Sequence, residues 1–317
     1  RQFCEQFLNP LLLQSLTGAP FHPWYRGTLE GIPGSDLRRL LPLTAKLSPR
    51  VITHVVLPDM FDRRQPQQSV TAANAGNGRL PKPAFAALLR GLKRWIAGLR
   101  PRTHMSSSWR DYEATNSYAS EDSEAKRRFV AAFVSQSRPR TVWDLGCNTG
   151  AYAALALENG ADEVIGFDSD GPALEAAFGR AVENDLNFLP LFQEFHNPSP
   201  NQGWREHERD GLSARASADA VLALALIHHL AISRNVPLAS AIGWIIGLAP
   251  QGIIEFVPKS DPMVRTMLAG RSDLFDDYNE DSFTAAVSAQ ATDLIEAESE
   301  AVTGGENRTE QIPQKSV

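Results

Sequence analysis

From residue 140 onward, short apolar runs alternate with longer amphipathic ones. The runs 141–145, 163–167, 188–192, 218–227 and 253–257 read as strands, and 151–159, 172–183 and 236–248 as helices. The run 218–227 is the longest strand candidate, although its Ala and Leu content also suits a helix. Alternation of this kind predicts a parallel sheet covered by helices on both faces. After Pro262 the pattern gives a helix at 282–289, a strand at 293–297 and a turn at Gly304 and Gly305. The closing stretch 310–317 is polar and reads as a poor strand, so the last hairpin is expected to be altered or frayed.

The first hundred residues read differently. Phe3, Phe7, Leu8, Leu11 and Leu12 recur at helical spacing, and Pro10 within them predicts a kink or two helices. Ser35 and Asp36 are cap candidates for a short helix through Leu41. Residues 51–61 form another apolar segment. Residues 62–83 are rich in Gln, Asn, Gly and Pro and read as an exposed linker. Residues 83–99 form a basic amphipathic helix, with Arg90, Lys93, Arg94 and Arg100 set against Phe85, Leu88, Leu89, Leu92 and Trp95. A solvated charged face explains that helix more simply than a nucleic acid or a membrane surface does. The chain thus divides into a mainly helical region, 1–105, and an α/β domain, 106–317.

Composition narrows the field. The chain has 317 residues, 43% of them hydrophobic and 21% charged, an ordinary globular balance. The net charge of −6 gives no general attraction to a phosphate backbone. Two cysteines, Cys4 and Cys147, make no disulfide framework, so a reducing cytoplasm is expected. No apolar run approaches the ~20 residues of a membrane span. The chain opens at Arg1 inside an apparent helical pattern, so an upstream segment is expected. His22 and His54 show no metal-ligand spacing, and no metal site is expected.

The strongest chemical signal is residues 142–150, VWDLGCNTG. A strand ends, a turn holds Gly146 and Gly150, and a helix begins, so that the backbone can approach a ligand closely. Asp144 sets a carboxylate at the carboxyl end of the strand. Asp168 ends the next strand, where an acid can accept both hydroxyls of a ribose. A dinucleotide site would want Gly-x-Gly-x-x-Gly and room for a pyrophosphate. Asp144 would repel a pyrophosphate but suits the ammonium end of an amino acid.

This turn resembles the first motif of class I S-adenosylmethionine-dependent methyltransferases. The runs 224–230 (LALIHHL), 255–261 (EFVPKSD) and 20–24 (PFHPW) extend the resemblance to the nodulation-protein-related (NoeA-like) group of bacterial methyltransferases. The resemblance implies a Rossmann-like, doubly wound, seven-stranded sheet and S-adenosylmethionine as cofactor. It implies cofactor contacts from Asp144, Gly146, Cys147, Asn148, Gly150 and Asp168. Glu194 falls where such proteins usually carry an acidic residue beside the adenine, commonly Asp. Tyr112, in the segment leading into the first strand, is a candidate for the methionine carboxylate. Cys147 is read as a small turn residue rather than a nucleophile.

His228 and His229 follow the fourth strand, and one of them is a candidate general base. Local capping and packing is the competing role. Glu255 ends the fifth strand and is a candidate to orient a histidine or bind an acceptor amine; a salt bridge, for instance to Lys259, is the alternative. The resemblance leaves the methyl acceptor open between a small molecule, RNA and a protein. Two other readings stand beside it: a nicotinamide-dependent oxidoreductase, and a regulatory protein that binds S-adenosylmethionine without catalysis.

Overall fold

Five strands lie side by side in parallel: Thr141–Leu145 (β1), Glu163–Asp168 (β2), Phe188–Phe192 (β3), Ala220–Ala223 (β4) and Gly252–Phe256 (β5). Two antiparallel strands, Ile295–Ser299 (β6) and Asn307–Ile312 (β7), complete a seven-stranded sheet in the order β3-β2-β1-β4-β5-β7-β6. This is the expected Rossmann-like, doubly wound sheet. The computed structural model describes residues 2–64, 81–102, 120–270, 272–291, 295–299 and 307–312.

Alternation along the strands builds two cores. On one face Val142, Ala220 and Leu222 pack with Val130 and Phe133 of the helix Ser120–Ser137 (α1). Ala153 of Ala151–Glu158 (α2) and Ala177 of Gly171–Glu183 (α3) join them. On the other face Trp143, Val221 and Ala223 pack with Ile242 of Leu238–Ile246 (α4) and Phe283 of Glu280–Ser288 (α6). The short helix Pro262–Leu268 (α5) adds Val264. Because both faces are covered, β1 and β4 are apolar almost throughout. Asp144 is therefore out of place by any packing rule. The strand order reverses between β1 and β4, and in an open α/β sheet the crevice at that reversal receives ligands.

The run 218–227, expected as one strand, forms β4 only over four residues. It leaves the sheet at Leu224, and Ala225 takes a left-handed backbone with φ of 48°. Of the polar closing stretch, residues 310–312 do belong to a strand, and 313–317 lie outside the described residues. β7 pairs with β5 on one side and β6 on the other, so its ladder supplies what its composition lacks.

The chain divides into two compact units, one of residues 1–105 with 202–209, the other of 106–201 with 210–317. In the first unit Leu8, Leu12, Ile32, Leu37, Val55 and Trp95 form a core of their own. Pro10 does not kink the chain apart: a π-helical turn, Cys4–Leu8, runs directly into the helix Asn9–Thr17. Proline has no N–H to give to the carbonyl four residues back, and the Tyr25 hydroxyl donates to that Gln6 carbonyl instead. Ser35 and Asp36 do not cap: the helix Gly34–Leu40 starts after Pro33, without a side-chain cap bond.

The basic helix is Lys82–Ala97. Trp95 is buried in its last turns, whereas Phe85, Leu88 and Leu89 are about half exposed. The expected linker begins inside the helix Leu57–Arg64, and 65–80 lie outside the described residues. Residues 202–209 form a small hairpin closed by a bridge between Gln202 and Arg209. Gln202 donates to the Arg26 carbonyl, and Arg209 to the carbonyls of Tyr25 and Thr28. Among the described residues no helix is long and apolar enough to cross a membrane.

Candidate functional site

Three residues in the turn after β1 have a left-handed backbone: Gly146 (φ 82°), Asn148 (48°) and Gly150 (80°). At Gly150 a methyl group would also come 2.4 Å from the Phe188 ring, so both backbone and space demand glycine. The turn is tied to β2. The N–H groups of Gly146 and Cys147 donate to the Phe167 carbonyl at 2.8 and 3.0 Å. The Asn148 N–H donates to Asp168 Oδ2 at 2.9 Å, and the Asp170 N–H to Asp168 Oδ1 at 2.8 Å. Burial raises the Asp168 carboxyl above its ordinary value, and these backbone donors, with that of Ser169, oppose the rise. They also fix its orientation.

Asp144 is the opposite case. It is 2% exposed, and its Oδ2 has no hydrogen-bond partner. Burial pushes its carboxyl up to about 7; the neighbouring Asp168 adds to the rise and Lys126 offsets it. A buried, unsatisfied carboxylate oxygen is costly, and it persists where a ligand supplies the missing cation.

Across the crevice, Glu255 on β5 is buried and its Oε2 takes two donors. One is Lys126 Nζ from α1, in an ion pair; the other is the Ala225 N–H, at 2.7 Å. Lys126 Nζ also lies 5.4 Å from the centre of the Tyr152 ring. Glu255 thus does form a salt bridge, but with Lys126; Lys259 pairs with Asp273 at 2.9 Å. Neither Lys126 nor Tyr152 was assigned a role from sequence. Lys126 sits 129 positions from its partner, and only the fold brings the two together.

His228 and His229 follow at the start of the π-helical turn His229–Ser233, with ring centres 4.2 Å apart. His228 is buried and its Nδ1 has no partner. Burial holds His228 well below the ordinary imidazole range, with His229 and Lys126 adding to the effect. Burial, with Arg234, lowers His229 to about 4. Both rings are neutral at neutral pH. They can accept a hydrogen bond, but they are weaker bases than an ordinary imidazole.

Glu194 is half-buried just beyond β3, beside Gln193, whose N–H donates to the Asp168 carbonyl at 2.8 Å. The Cys147 thiol is buried and pushed up by that burial and by Asp144 and Asp168, which leaves it inert as a nucleophile. Tyr112 lies outside the described residues. The topology therefore gathers Asp144, Gly146, Asn148, Gly150 and Asp168 at the ends of β1 and β2, with Glu194 past β3. Glu255, His228 and His229 lie at the ends of β5 and β4.

No family model matches the chain. It is 51% identical over 292 residues to the nodulation protein NoeA of Rhizobium meliloti (strain 1021), an overlap of 92% of this chain and 61% of that one. The chain thus spans about three fifths of that relative's length. Among solved structures, magnesium protoporphyrin IX methyltransferase (ChlM) from Synechocystis PCC 6803 is 17% identical, with a TM-score of 0.42 over 71% of this chain and 91% of that one. The N-methyltransferase NodS from Bradyrhizobium japonicum WM9 is 9% identical, with a TM-score of 0.43 over 62% of this chain and 99% of that one.

Proposed function

We propose that this chain, similar over 92% of its length to a nodulation protein NoeA, transfers the methyl group of S-adenosylmethionine to an acceptor. The observation that carries this reading is the orphaned oxygen of buried Asp144, beside a left-handed glycine turn and a second acid, Asp168. The donor set fits the cofactor piece by piece. Asp144 takes the ammonium group, Asp168 the ribose hydroxyls, and the backbone around Gly146, Cys147, Asn148 and Gly150 lies against the nucleoside. Glu194 borders the adenine, and Tyr112 is assigned the methionine carboxylate.

The cofactor supplies an activated methyl on a sulfonium. An acceptor lone pair bonds to the methyl carbon as the carbon–sulfur bond breaks, its electron pair stays on sulfur, and any proton on the acceptor leaves to base or water. This chain's residues orient the two reactants and exclude water. His228 and His229, neutral at working pH, accept a hydrogen bond from the acceptor, and one of them takes its proton if it leaves early. Glu255, locked by Lys126, fixes the Ala225 turn that leads into both histidines. A dinucleotide is disfavoured, because Asp144 would face its pyrophosphate.

Titration calorimetry with S-adenosylhomocysteine tests the reading. Saturable binding in the micromolar range is expected, weakened at least tenfold in Asp144→Ala and in Asp168→Ala. Absence of heat at millimolar ligand overturns both the methyltransferase and the non-catalytic S-adenosylmethionine binder.

A further inference from the structure

Positive charge and exposed apolar surface concentrate in the same part of the chain. Residues 1–105 hold 15 lysines and arginines against 5 aspartates and glutamates, a net of +10, whereas 106–317 hold 16 against 32. The overall charge of −6 therefore hides two opposed parts, and asymmetry of this kind marks contact with a membrane or a nucleic acid. Arg205, Glu206, Glu208 and Arg209, which join the first unit, cancel one another. Of the 17 large hydrophobic side chains exposed among the described residues, 12 belong to that unit.

The helix Lys82–Ala97 brings both features together. Its second half is anchored: Leu92, Trp95 and Ile96 pack into the core of the unit. Its first half is not. Residues 83–89, PAFAALL, are apolar all round the helix, and all but Ala86 are exposed. Lys82 precedes this segment, Arg90, Lys93 and Arg94 follow it, and each of the four is exposed. From 81 to 102 there is no Asp or Glu, and no Ser, Thr, Asn, Gln, His or Tyr. The solvated charged face expected from the sequence is there; the exposed apolar segment is what it leaves unexplained.

These features select among partners. A nucleic acid would use the cations and leave the apolar segment in water. A protein groove that takes a helix reads anchors at i, i+3, i+4 and i+7, which here are Phe85, Leu88, Leu89 and Leu92. The last of these already packs in the chain's own core. A bilayer surface needs only a shallow apolar segment flanked by cations, and no hydrogen-bonding side chain between them. Seven helical residues span about 10 Å, comparable to the depth at which interfacial helices lodge.

We propose that the helix Lys82–Ala97 docks this protein on anionic lipid surfaces. Residues 83–89 enter the headgroup layer, and Lys82, Arg90, Lys93 and Arg94 meet its phosphates. The docking stands apart from the methyl-transfer reading.

The test is co-sedimentation of the full chain with two kinds of vesicle, phosphatidylcholine alone and phosphatidylcholine mixed about two to one with phosphatidylglycerol. Each cation at an anionic surface is worth about fivefold in affinity, so the mixed vesicles are expected to bind at least tenfold more tightly. Added salt should narrow that difference. Phe85→Gln/Leu88→Gln, at two half-exposed positions, should weaken binding at least tenfold while thermal melting stays at the wild-type value. Leu89→Gln is the second apolar variant should the first fail to fold. Arg90→Gln/Arg94→Gln should weaken binding to the mixed vesicles at least tenfold and leave the neutral ones unchanged. Equal binding to both vesicles overturns the proposal. So does no binding at millimolar lipid, or wild-type binding in a folded apolar variant. A chain that ignores vesicles but binds a single-stranded oligonucleotide or dimerises through these residues overturns it too, and assigns the helix to that partner.

Discussion

Lys126 and Glu255 are ion-paired across 129 positions of chain, with the glutamate side chain 4% exposed and the lysine 18%. The pair ties the helix before β1 to the end of β5, and through the Ala225 N–H it reaches the turn after β4. Removing one partner leaves the other charge buried and uncompensated, which costs about 3–5 kcal/mol. Urea denaturation of Lys126→Met and of Glu255→Leu should each show a loss of that size. The double variant should recover much of it. If each single change costs less than about 1 kcal/mol, the level of an exposed pair, the pair is not a strut.

Asp144 sets an opposition between stability and binding. Its carboxyl titrates near 7 in the folded state against an ordinary value of 3.8. Between those values the folded state holds a proton that the unfolded state has released, so stability falls as pH rises through this window. Asp144→Asn should therefore be more stable than wild type above pH ~7, and this excess should vanish below pH ~4. The same variant should bind S-adenosylhomocysteine at least tenfold more weakly. Wild-type binding near pH 6 should release a proton, read as a dependence of calorimetric heat on the buffer. A variant that gains no stability at alkaline pH would remove Asp144 as a buried, unsatisfied acid.

The histidines act with the opposite sign. Their folded values lie below the ordinary 6.5, with His229 near 4. The unfolded state then binds protons that the folded state refuses, and stability falls as pH drops from about 6.5 towards 4. An NMR titration should find the His229 ring signal moving near pH 4 and the His228 signal not moving before acid unfolding. Either ring titrating between pH ~6 and ~7 would restore an ordinary imidazole base.

The glycines of the turn should rank by space as well as by angle. Gly146→Ala meets only ordinary contact with Leu226 at 3.6 Å, so its cost is the left-handed backbone alone, about 1 kcal/mol. Gly150→Ala carries that same cost plus a collision with Phe188 at 2.4 Å, and should lose about 2–4 kcal/mol. Equal losses in chemical denaturation would mean that Phe188 moves aside freely.

The β1–turn–α2–β2 unit was legible because its determinants are local. Gly146, Gly150, Asp144 and Asp168 fall within 25 successive positions, and each is an exception to strand or helix composition there. The end of β4 was not legible. Nothing in residues 218–227 says that the strand stops after Ala223; the Ala225 N–H is taken by a carboxylate 30 positions away. β7 was underrated for a related reason. Asn307–Ile312 has little apolar alternation, and its backbone ladders to two neighbours are not written in its own composition. At the site the two acids could be named from position, but the partner of Glu255 could not: Lys259 is near in sequence, and Lys126, the actual partner, lies 129 positions away.

The hairpin closed by Gln202 and Arg209 has a consequence for the order of assembly. Ribosomes release a chain from its N-terminus, so residues 1–105 emerge long before this hairpin. The carbonyls of Tyr25, Arg26 and Thr28 must then wait on water until β1, β2 and β3 have been synthesised and residue 209 has left the exit tunnel. The helical unit is thus discontinuous in time as well as in sequence, its last donors arriving from the middle of the sheet-forming stretch.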